Sequence, residues 1–154
     1  MRRIAAAALL VSLTGCFGSS NEAAPDDPSP SETTQLSIEE TLLEQRVLLA
    51  YGATVKQGAL VVRCEADACE RHRPRLPGSI RVADSQPVLT ITFETRPDRV
   101  EAWLRTGSRV GRKEVLDAAL LVAWRPKVPA GRHDARIAAT YGSTRLEWQV
   151  PISR

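Results

Sequence analysis

From residue 87 onward, apolar and polar side chains alternate with a period of two, which places every second residue on one face of an extended strand. Leu89, Ile91 and Phe93 share one face, and Thr90, Thr92 and Glu94 the other. The alternation returns at Ala135, Ile137, Ala139 and Tyr141 against Asp134, Arg136 and Thr140, and again at Leu146, Trp148 and Val150 against Glu147 and Gln149. Gly142-Ser143, between these last two runs, suits a type II′ turn, so a terminal β-hairpin is expected. Residues 100–105 and 120–124 read as two further strands, and Pro126, Pro129 and Gly131 break the chain before the hairpin. The more polar stretch 112–117 suits a connection with a short helical turn.

Residues 37–63 carry a mixed signal. Ser37 with Glu40 has the spacing of a capping box and Gly52 suits a helix stop, yet Leu42, Leu43, Val47, Leu48 and Leu49 spread around a helical wheel without forming one face. The reading that fits both is a short helix or irregular entry followed by a strand at 47–51. Residues 59–64 form another strand. About seven strands separated by Gly and Pro turns predict an all-β domain over residues 36–154, an antiparallel sandwich.

The N-terminus has a different pattern. Arg2 and Arg3 precede an apolar run at residues 4–13, and Leu13-Thr14-Gly15-Cys16 follows. Ten residues of helix rise only about 15 Å, half of the roughly 30 Å hydrocarbon core, so the run reads as a signal peptide at residues 1–15. Leu13 to Cys16 resemble the lipobox of bacterial lipoproteins, a branched apolar residue and two small ones before a cysteine. That resemblance implies cleavage before Cys16, a diacylglycerol thioether on its sulfur and acylation of its new amine. Two or more acyl chains suffice for stable membrane anchoring. Phe17 stands where an aspartate signals inner-membrane retention in enteric lipoproteins, so the outer membrane of a two-membrane host is permitted. Residues 17–35, FGSSNEAAPDDPSPSETTQ, are too polar and proline-rich to bury a core. They form a tether with a reach of roughly 25 Å.

Charge follows this division. Residues 17–35 hold four acids and no base, whereas residues 36–154 hold 19 lysines and arginines against 14 acids. The tail is acidic and the body basic, a balance suited to anionic surfaces. Lipidation uses one of the three cysteines and leaves Cys64 and Cys69, with four residues between them, in an oxidising compartment. They are expected to form a disulfide. The other reading is a metal site C-x4-C-x2-H with His72, for which a fourth ligand is not in sight.

Candidate chemistry is sparse. His72 and His133 are the two imidazoles, and neither stands beside a nucleophile in a recognised setting. His133 and Asp134 adjoin in a strand, so they point to opposite faces and a packed histidine is expected. Trp103, Trp124 and Trp148 read as core residues, with a ligand groove as the other reading. One Met and two His are too few for a copper site, and no cofactor is expected. Arg71-His72-Arg73-Pro74-Arg75 places three arginines beside the disulfide loop, with Pro74 and Pro77 keeping the segment extended. It is either a solvated basic loop or a contact for phosphate or carboxylate.

The run Pro129-Ala130-Gly131-Arg132-His133-Asp134-Ala135-Arg136-Ile137 resembles the loop entering the penultimate strand of bacterial immunoglobulin-like domains, where an aromatic often stands in place of His133. That resemblance implies an immunoglobulin-like β-sandwich. The expected function is a membrane-anchored envelope lipoprotein that binds or supports an anionic envelope component or another envelope protein, without catalysis or nucleic acid. The other class is a small envelope hydrolase or a redox or metal-binding protein.

Overall fold

The computed structural model describes residues 45–154, so Cys16, the expected signal peptide and tether, and the expected capping box of Ser37 and Glu40 lie outside the described residues. The fold is all-β, with no helix among the described residues. Its strands are β1 (Val47–Tyr51), β2 (Thr54–Gln57), β3 (Ala59–Glu65), β4 (Ala68–Arg71), β5 (Ile80–Arg81), β6 (Leu89–Phe93), β7 (Arg99–Thr106), β8 (Arg109–Val110), β9 (Glu114–Leu116), β10 (Leu121–Trp124), β11 (Arg132–Tyr141) and β12 (Thr144–Ser153). They form a smaller sheet in the order β10-β6-β1-β2 and a larger one in the order β4-β3-β12-β11-β7-β8. At the margins of the larger sheet β9 pairs with β7, and β5 pairs with β12 in the single parallel contact among the described residues.

The seven expected strands correspond to β1, β3, β6, β7, β10, β11 and β12. The other five, β2, β4, β5, β8 and β9, are two to four residues long. Runs so short carry no readable period, and their pairing comes from the strand beside them. Residues 112–117 show this most clearly. In place of a helical turn, Val115 and Leu116 pair with Glu101 and Val100 along the edge of β7.

One core joins the sheets. The smaller sheet contributes Val47, Leu49, Leu89, Ile91, Phe93, Val122 and Trp124, and the larger one Val100, Ala102, Ile137, Leu146, Trp148, Val150 and Ile152. Phe93 and Trp148 meet edge to face across the gap, with ring centroids 6.4 Å apart, an arrangement aromatic quadrupoles favour. Trp103 departs from the other two tryptophans. It is buried, yet it lies on the outer face of the larger sheet, where Lys113 Nζ sits 4.8 Å from its ring centroid.

Tight turns set the register. Gly142 has φ +56° and Ser143 has negative φ, the combination a type II′ hairpin requires. Gly52 and Gly107 occupy the corresponding first loop positions between β1 and β2 and between β7 and β8. The β3–β4 turn has Ala66 there, at φ +48°, a conformation that disfavours a residue with a Cβ. The Cys64–Cys69 disulfide spans this turn, joining residues directly opposite in the ladder. A loop so short contributes about 2 kcal/mol on the chain-entropy estimate, of the same order as the strain at Ala66.

Tyr141, at the hairpin end, packs against the core and its hydroxyl donates to Thr95 O at 3.4 Å. Burial, and secondarily the charge of Glu94, push its pKa up to about 12. The usual tyrosine value is near 10, so the unfolded chain ionises first. The stabilisation is therefore complete below about pH 10 and is lost as pH rises towards about 12. The urea midpoint of the wild type is expected to fall more steeply over that window than that of Tyr141→Phe. Parallel profiles would show that Tyr141 is not the group responsible.

Candidate binding surface on the larger sheet

Alternation gives each strand of the larger sheet an outward row. In β11 the row is Asp134, Arg136, Ala138 and Thr140. In β12 it is Arg145, Glu147 and Gln149, and in β7 it is Glu101, Trp103 and Arg105. Register then brings residues distant in sequence together: Arg136 stands between Trp103 and Gln149, and Ala138 between Glu101 and Glu147. Val62 of β3 stands opposite Glu147, and Arg71 of β4 opposite Val62. The result is a transverse line, Arg71-Val62-Glu147-Ala138-Glu101, in which charged and apolar residues alternate across the sheet.

Ion pairs fix part of this line. Arg136 Nη1 donates to Glu147 Oε1 at 2.9 Å, and both side chains are largely buried. Arg145 donates to Glu101 at 3.3 Å and also lies 3.9 Å from Glu147. Arg105 Nε donates to Gly107 O at 2.8 Å, which anchors its stem at the β7–β8 turn.

Above the line runs the segment that follows β4. His72 N–H donates to Val61 O at 2.9 Å, which ties the segment to the sheet edge. Between segment and sheet is a cleft of about 640 Å³ lined by Arg71, Arg73, Arg105, Arg136, Glu147 and Gln149 among others. A second cavity of about 680 Å³ adjoins it through Arg105 and Leu76 and adds Arg81, Arg132 and Asp134.

The structure therefore gathers Arg71 and Arg73 at one cleft and places Arg75 elsewhere, in a concavity formed with Gln57, Gly58 and Pro77. Among the described residues none of these three arginines has a carboxylate partner. Arg105 and Arg136 complete the cleft and were not singled out from the sequence. Their only signal was position at outward parity in β7 and β11, which means nothing until register aligns the strands.

The remaining candidates have structural roles. Cys64 and Cys69 are joined, so the C-x4-C-x2-H reading loses both thiolates. His72 Nδ1 lies 3.8 Å from Glu70 Oε1. His133 is buried with both ring nitrogens engaged: Nε2–H donates to Pro129 O at 3.0 Å, since a carbonyl can only accept, and Nδ1 is hydrogen-bonded to the Thr106 hydroxyl at 2.7 Å. This histidine pins the loop before β11 to the end of β7. Comparison with protein-family models, curated proteins and solved structures finds no match to this chain, and the functional reading rests on its own residues.

Proposed function

We propose that the chain is an exported envelope lipoprotein, cleaved before Cys16 and held at a membrane by acyl chains on that residue. Residues 17–35 act as its tether, and the domain beyond works as a non-enzymatic module that binds an anionic component of the envelope. The N-terminal order of charge, apolar run and Leu13-Thr14-Gly15-Cys16 supports the anchor. Two sheets sharing one core, with the Pro129–Ile137 run leading into the penultimate strand β11, support an immunoglobulin-like sandwich for the domain.

The observation that carries the binding role is the placement of charge. Arginines from β4, the following segment, β7 and β11 converge on one cleft, with Glu147 as the carboxylate among them. Guanidinium groups pair with carboxylate and phosphate in a planar fork, so convergence of several favours oxyanion recognition. The buried imidazole is already committed to Thr106 and Pro129.

Mass spectrometry of protein extracted from membranes tests the anchor. The expected N-terminal peptide begins at Cys16 and carries acyl chains, and Cys16→Ser should accumulate as an uncleaved, unacylated precursor. An unmodified mature peptide beginning elsewhere would overturn the lipoprotein reading.

A further inference from the structure

The Arg136 guanidinium is held in an unusual state for a buried cation. Arg136 is only 9% exposed, and Glu147 occupies Nη1 alone. On the opposite edge of the guanidinium, Nε is fully buried with no acceptor among the described residues. A second buried atom on the cleft lining, His72 Nε2, is likewise without a partner. Leaving a buried donor unsatisfied costs about 1–3 kcal/mol, more when it is charged. Glu147 thus compensates the Arg136 cation on one edge only, which favours an anion in the cleft beside it.

The surroundings narrow the chemistry. Arg71, Arg73 and Arg105 line the same cleft, and Gln149, adjacent to Arg136 in the ladder, offers an amide. Four guanidinium groups against one carboxylate leave an excess of positive charge at the cleft. A phosphate offers a tetrahedron of oxygens and can accept from several guanidinium groups at once, where a planar carboxylate offers two oxygens.

We infer that this cleft is a phosphate-binding site, with Arg136, held in place by Glu147, as its fixed cation and Arg71, Arg73 and Arg105 as the outer cations. This deepens the binding role proposed above, and its failure would leave the acyl chains on Cys16 untouched. The phosphate group belongs either to a free phosphate or to a phosphodiester such as a lipid headgroup.

The test uses the full chain purified from membranes in neutral detergent. It is titrated at constant ionic strength with sodium phosphate and, separately, with glycerophosphoglycerol, the headgroup of phosphatidylglycerol without its acyl chains. Tryptophan fluorescence is the readout, because Trp103 lies beside Arg136 on the outer face. Saturable binding of at least one probe is expected, and the probe bound more tightly identifies the source. Arg105→Gln should weaken that binding roughly tenfold or more, the effect of losing a charge-assisted contact. Arg73→Gln, whose side chain has no ion pair among the described residues, should do the same without touching the fold. Arg75→Gln, outside the cleft, should bind like the wild type. Two results would overturn the inference: neither probe saturating, or Arg75→Gln losing as much affinity as Arg105→Gln, which would mean that binding follows net charge alone.

Discussion

Trp148→Ala is expected to lower the stability of the domain by about 3–5 kcal/mol, the range for truncating a fully buried aromatic side chain. Trp148 is 1% exposed on β12 and meets Phe93 of the smaller sheet edge to face. Its Cβ also backs onto the turn between β2 and β3. A Cβ built on Gly58 would come within 2.9 Å of it and within 2.6 Å of Val47 Cγ1. Gly58 N–H donates to Val47 O at 2.8 Å, so the turn cannot retreat without losing that bond. Truncation would open a cavity that Phe93, β1 and the turn could not fill together. Against the 5–15 kcal/mol typical of a domain, this loss is large. Urea unfolding followed by circular dichroism checks it, and a loss below about 1 kcal/mol would show that the sheets do not depend on this contact.

The second large effect concerns the outer face. Glu147→Leu should cost about 3 kcal/mol, because it strips the Arg136 guanidinium of its carboxylate while leaving the charge buried. Arg136→Met should cost less, since Glu147 keeps Arg145 within 3.9 Å. The double variant should be more stable than Glu147→Leu alone, because removing both members also removes the desolvated charge. A double-mutant cycle from urea midpoints measures this asymmetry. Equal costs for the two single variants, adding in the double, would show that the pair is solvated and weak.

Much of the fold was legible in the chain. Leu89-Ile91-Phe93 and Leu146-Trp148-Val150 announced strands with one buried face, and Gly142 announced the turn that joins β11 to β12. Cysteine arithmetic and compartment led to the Cys64–Cys69 pair. The short edge strands were not legible, because two to four residues such as Arg109–Val110 cannot display a period and owe their pairing to β7. Trp103 shows a subtler limit. Its size and its strand suggested core, but it sits at outward parity with Glu101 and Arg105, and Lys113 covers it from the connection between β8 and β9.

The cleft was half legible for the same reason. An extended basic segment suggested that Arg71, Arg73 and Arg75 would act together, since alternate residues share a side. The His72 N–H bond to Val61 carries the ladder one residue past β4, and beyond it Arg75 lies against the β2–β3 turn instead. Arg105 and Arg136 joined the cleft through antiparallel register, a long-range property that no local pattern encodes.

Whether the outer face of the larger sheet receives phosphate through Arg136 comes down to one resonance, the Nε–H of Arg136 in the 15N-labelled full chain, followed while sodium phosphate or glycerophosphoglycerol is added at constant ionic strength. The expected result is a saturable shift of that resonance that follows the Trp103 fluorescence curve, with the Nε–H of Arg75 unmoved. An Arg136 resonance that stays in place while that of Arg75 drifts with added salt would contradict it.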